Sequence, residues 1–206
     1  MFQWIGILVL LTFSLTATAN FDFHDHRPYG SMGYQGLRLR TEGSANETKI
    51  NTKSYHELNL EAGLQPVFRP MWGGLLGVRI SLLRYQMRHT LGDEELANFR
   101  IQGTYLAIPF GVRFDISKKT NRLFALVKLV PKVQLQESQE IETCYGICSN
   151  ERRTRATWWH AEGDLNFGLT DRFALGLGVA VPLSNQFKGP GNLRYSGFLA
   201  SATYFW

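Results

Sequence analysis

The chain has only two cysteines, Cys144 and Cys148, with no second Cys or His pair beside them, which makes a poor zinc motif. Beyond residue 20 it has no apolar run of the length a membrane-spanning helix needs, about 20 residues. It has no basic helix and no base-stacking motif, so its formal charge of +5 does not read as a nucleic-acid footprint. The segment 1–19 carries no ionisable side chain, and all of that charge therefore lies after it. There is no internal repeat, no heptad pattern and no low-complexity tract. What remains is a chain of one-domain length without helical spans. A protein that crosses lipid without helices must close its sheet into a barrel, because hydrocarbon cannot satisfy an open edge.

The apolar run Ile5 to Leu11 is too short to span a bilayer as a helix, and Ala17-Thr-Ala19 after it has the small-x-small pattern of a signal peptidase site. Residues 1–19 are therefore expected to be a cleaved signal peptide, although Met1 to Trp4 lacks the usual Lys or Arg. No cysteine follows the site, so a lipoprotein is not expected. Residues 20–30 read as an irregular lead-in; His24-Asp-His26 within it is an H-x-H element of the kind that is usually just solvated sequence.

The rest alternates with period two. Leu58, Leu60, Ala62 and Leu64 share one face, with Glu57, Asn59 and Glu61 on the other. Leu76, Val78, Ile80 and Leu82 oppose Arg79 and Ser81; Leu106, Ile108, Phe110, Val112 and Phe114 oppose Tyr105, Ala107 and Arg113. Val127, Leu129 and Val133 oppose Lys128 and Lys132, and Trp159, Ala161, Leu165 and Phe167 oppose His160, Glu162, Asp164 and Asn166. Leu175, Leu177, Val179 and Val181 oppose Gly176, Gly178 and Ala180. With a weaker strand at 32–41 and a terminal one at 192–206, this reading gives an eight-stranded antiparallel up-and-down barrel, all-β, over residues 31–206. Short turns at 69–72, 116–121 and 170–172 alternate with longer polar loops at 42–54, 88–98, 137–153 and 185–192. Pro109 and Pro131 fall inside strands and are expected to sit at bulges or wide pairs, because proline cannot donate to a ladder.

Alternation alone does not say which face is inside; a soluble barrel would bury the apolar one. The terminal strand helps to decide. Phe198, Ala200, Ala202, Tyr204 and Trp206 lie on one face and Leu199, Ser201, Thr203 and Phe205 on the other, and a soluble domain would keep an aromatic-tipped face off its surface. This strand resembles the last strand of the outer-membrane β-barrel proteins of Gram-negative bacteria, which usually ends in an aromatic read by the assembly machinery. Over 31–206 the chain is similar in architecture to the small barrels of the OmpA and OmpX type, without an attached periplasmic domain. The resemblance implies a Gram-negative outer-membrane location, Tyr204 and Trp206 as assembly signal, and outer-membrane lipids, lipopolysaccharide and the barrel assembly machinery as partners. A monomer is expected, with no cofactor, no metal and no nucleic acid.

An eight-stranded barrel is just wide enough for its own side chains. Its inward charges, Glu57, Glu61, Arg79, Arg113, Lys128, Lys132, His160, Glu162 and Asp164, are therefore expected to pair as a polar plug, since an unpaired one costs several kcal/mol. The competing reading is a narrow channel through His160, Glu162 and Asp164. Cys144 and Cys148, in an exported protein, are expected to form a local disulfide in the longest outer loop. Ser54 and His56 share an outward face near the outer leaflet. Some barrels of this size are lipid A-modifying enzymes that place a Ser and a His there, and a base beside a hydroxyl is the minimum for nucleophilic catalysis. The order here is Ser-x-His with no acid following on that face, so the expected role is structure or surface interaction through the outer loops.

Overall fold

A computed structural model of the chain describes residues 26–42, 48–69, 72–91, 94–116, 123–145, 155–184 and 192–206, with only the backbone described at several strand tips. The elements in chain order are β1 His26–Glu42, β2 Thr48–Arg69, β3 Trp72–Leu91, β4 Glu94–Ala107, β5 Phe110–Asp115, β6 Leu123–Cys144, β7 Thr157–Gly168, β8 Phe173–Pro182 and β9 Asn192–Phe205. Neighbours pair antiparallel all the way round, and β1 pairs with both β2 and β9, so the sheet closes. β4 and β5 both lie between β3 and β6 and form the two halves of one stave, which makes eight staves.

The break between β4 and β5 falls at Ile108-Pro109, yet neither proline shifts the register. The pairing of β3 runs from Arg79 with Ala107 to Leu76 with Phe110 without an inserted residue, and that of β6 from Lys132 with Ala107 to Leu129 with Phe110 likewise. Each proline keeps its carbonyl in the ladder: Gly77 N–H donates to Pro109 O at 2.9 Å and Ile108 N–H to Pro131 O at 3.2 Å. What is lost is one donor apiece, so of the two expected alternatives, bulges or wide pairs, no bulge is present and the wall has two thin places instead. Real irregularities lie elsewhere; β6 carries an extra residue opposite β4 at Leu135 and again at Glu142.

The strands are also longer than their alternation suggests. β1 starts at His26, inside the segment read as an irregular lead-in, because Tyr29 faces inward and is anchored there. The loops expected at 42–54 and 88–98 are mostly strand, leaving 43–47 and 92–93 between β1 and β2 and between β3 and β4. β2 and β6 have 22 residues and β3 has 20, whereas β8 has 10. A stave needs about 9–11 residues to cross a bilayer, so β8 just spans and the others overshoot.

The faces explain where they overshoot. Near the short turns the exterior is apolar and open: Leu58, Leu60, Leu82, Leu165, Leu177 and Phe198 are all at least half exposed. The interior at the same level is polar and buried. Past His56 on β2 and Arg84 on β3 the arrangement inverts. Tyr55, Tyr85, Phe99 and Ile101 turn inward and are buried, while Gln86, Arg100 and Glu142 stand outside, with Asn98 buried beneath them. There Glu142 accepts from Gln86 Nε2 and Asn98 Nδ2, both at 2.9 Å, and pairs with Arg100 at 2.7 Å. One continuous wall is thus a membrane barrel below and a water-facing collar above. Among the described residues no helix is long and apolar enough to cross a membrane.

Candidate functional site: the lumen plug and the belt rim

The lumen is filled in three tiers. Hairpin register brings Glu61 opposite Arg79 and Lys128 opposite Glu162, all pointing inward. Arg79 is the hub. Its Nε donates to Glu61 at 2.7 Å, and its two terminal nitrogens reach across the lumen to both oxygens of Glu162, at 2.5 and 2.7 Å. Lys128 bridges Glu162 at 3.1 Å and Asp164 at 2.7 Å. His160 Nε2 donates to Glu162 at 2.8 Å, which places the ring proton there. Tyr29 closes the other side by donating to Glu61 at 2.6 Å. Lys132 and Glu57 form their own buried pair one tier up, with Tyr55 donating to Glu57 at 3.3 Å.

Arg113 does not join this network. It sits near the turns, where it donates to Asp115 at 2.9 Å and to Gln65 at 2.8 Å and lies 3.9 Å over the Phe124 ring. Four lumen cations thus face six carboxylates among the described residues, Glu57, Glu61, Asp115, Glu137, Glu162 and Asp164, and every cation has at least one of them as a partner.

Apolar clusters seal the charges from both ends. Toward the turns lie Tyr29, Leu75, Phe124, Leu126, Ala174 and Phe205. Toward the collar lie Tyr55, Leu83, Tyr85, Phe99, Ile101, Tyr105 and Trp158, with Tyr105 edge-on to Trp158 at 4.5 Å between centroids. Such an aromatic pair adds about 0.5–1.5 kcal/mol beyond its area. The sequence reading missed this collar-side seal, although the odd-numbered parity that holds Tyr105 and Ala107 inward also holds Phe99 and Ile101.

The far wall of the lumen is made of small residues. Gly178 pairs with Asp164 and Gly176 with Asn166. A Cβ on Gly178 would meet Asp164 Oδ1 at 2.2 Å and Gly163 O at 2.3 Å. Gly178→Ala is therefore expected to lower stability by about 1–3 kcal/mol, the usual effect of overpacking. Urea unfolding in detergent measures it; an unchanged midpoint would show that Asp164 has room to move.

Outside the barrel, Trp72, Tyr204 and Trp206 are exposed at the turn end, where the Tyr204 and Trp206 rings stack at 6.0 Å. His56 is exposed at the upper edge of the apolar belt, and the Tyr34 hydroxyl hydrogen-bonds its Nδ1. The side chain of Ser54 lies outside the described residues, and Glu57, next to His56, points into the lumen. Cys144 closes β6 opposite Ala97, and Cys148 lies outside the described residues, as do residues 1–25. Among the described residues no group of three or more His, Cys, Asp or Glu could hold a metal.

This is the architecture of the small eight-stranded outer-membrane β-barrels. No family model matches the chain, and no curated protein matches it. Among solved structures it is similar to the attachment invasion locus protein Ail of Yersinia pestis, at 13% identity and a TM-score of 0.49, over 88% of this chain and 99% of that one. It is also similar to Neisserial surface protein A, at 10% identity and 0.47 over 86% and 96%, and to the outer membrane protein OprG from Pseudomonas aeruginosa, at 12% and 0.41 over 88% and 95%. The chain's own closed pairing and its apolar outer face show the same architecture.

Proposed function

We propose that this chain is a closed, non-conducting barrel of the Gram-negative outer membrane that acts as an envelope or surface-interaction protein through its collar and outer loops. The observation that carries this reading is the lumen itself: an ion-pair network, buried on every side and sealed above and below by apolar clusters. In this reading residues 1–19 direct export and are removed. The short turns lie in the periplasm, and the collar stands outside with a Cys144–Cys148 bridge beyond it. The barrel works as a monomer among outer-membrane lipids and lipopolysaccharide, placed there by the assembly machinery.

Purified protein in a planar bilayer is expected to give little or no current, since the Arg79–Glu162 pair spans the lumen between two buried apolar clusters. Steady ion-selective currents that change on Glu162→Ala would overturn the reading and favour a narrow channel.

A further inference from the structure

The exterior of the barrel carries a basic group at the level where its polarity inverts. His56 and Arg84 are direct cross-strand neighbours on β2 and β3, both outward and exposed. Below them on the same face lie Leu58, Leu60 and Leu82, each more than half exposed on the lipid side. Above them the exterior turns polar, and the next outward cation, Arg100, is neutralised by Glu140 and Glu142 at 3.6 and 2.7 Å. Arg84 and His56 have no carboxylate partner among the described residues.

The histidine ring is also tethered: the Tyr34 hydroxyl hydrogen-bonds its Nδ1, and Arg84 lies directly across the strand pair. That is a donor pair of the kind that binds phosphate oxygens, presented sideways to the bilayer at headgroup depth.

We infer that Tyr34, His56 and Arg84 form a binding site for the phosphate of an outer-leaflet lipid headgroup. Leu58, Leu60 and Leu82 line the wall below, where the acyl chains of that lipid would run. The ligand class is a phosphomonoester lipid, because a dianionic phosphate answers both basic groups at once. This rests on the membrane reading above, but not on the barrel being closed to ions.

The test uses the full barrel in phosphatidylcholine nanodiscs doped with phosphatidic acid, with bound lipid counted by native mass spectrometry. His56→Gln with Arg84→Gln is expected to weaken phosphatidic acid binding by at least about five-fold, the contribution of one arginine at a membrane surface, with the lost imidazole hydrogen bond adding to it. Arg172→Gln, on the opposite end in the β7–β8 turn, should leave it unchanged. Tyr34→Phe should give an intermediate loss, because the imidazole loses its orienting partner. Inorganic phosphate at millimolar concentration should not compete, which separates a headgroup site from a free-anion site; competition would overturn the lipid assignment. Equal binding by wild type and the double variant, both giving the heat-modifiable folded band, would overturn the site. Bilayer conductance of the same samples reports on the closed-lumen reading independently.

Discussion

Arg79→Ala should lower the stability of the folded barrel by about 3–5 kcal/mol, the usual consequence of removing one partner of a buried ion network. The guanidinium alone holds Glu61 and Glu162 together across the lumen, and its loss leaves those two carboxylates facing each other in a space sealed from water. Lys128 still touches Glu162 at 3.1 Å, but no other cation contacts Glu61 among the described residues. Refolding yield and unfolding midpoint in detergent, read as heat-modifiable mobility, measure the effect. The triple change Arg79→Met, Glu61→Gln and Glu162→Gln should recover much of it, because no unpaired charge then remains. If Arg79→Ala stays within about 1 kcal/mol of wild type, the network is hydrated and the plug is not closed.

Deleting Tyr204 to Trp206 should remove most folded barrel from the membrane. These residues end the seam that closes the cylinder: Tyr204 pairs with Gly30 and Phe205 with Tyr29, while Phe205 N–H donates to Arg172 O at 2.8 Å and Trp206 N–H to Pro28 O at 3.2 Å. Phe205 is also part of the turn-side seal, edge-on to Phe124. Export should be unaffected, leaving unfolded protein in the periplasm for proteolysis, and a heat-modifiability gel of membrane fractions reads the outcome. Trp206→Ala separates signal from structure. If it assembles poorly in cells but folds normally into liposomes, the exposed ring is recognised during assembly. Normal amounts of folded barrel after the three-residue deletion would show that the strand is neither signal nor seam.

Much of the fold is legible in the sequence because one rule covers it: two faces, two solvents, period two. Leu58 and Leu60 against Glu57 and Glu61 separate the two faces, the terminal strand helps to say which meets lipid, and counting back from residues 69–72 puts Glu61 opposite the neighbourhood of Arg79; the irregularity between Val67 and Arg69 sets the exact partner. The contact of Arg79 with Glu162 does not follow, because it crosses the lumen between non-neighbouring staves. The collar is hidden for a different reason. There the solvent sides exchange, so Tyr55 and Ile101 look misplaced to a rule that expects polar residues inside, and the extra residues at Leu135 and Glu142 break the count along β6. Pro109 and Pro131 mislead in the opposite sense: a missing donor suggests a distorted ladder, yet a proline carbonyl still accepts and the pairing stays in step.

The exchange of solvent sides has a mechanical meaning. Shifting the barrel toward its turn end would drag Arg84, Arg100 and Glu142 into hydrocarbon, where an arginine facing lipid at mid-bilayer costs about 2–4 kcal/mol. Pushing it the other way would lift Leu177 and Phe198 into water. Both displacements meet a steep restoring force, so the wall acts as a latch that holds the molecule at one depth. A bilayer of different thickness must then bend to meet it.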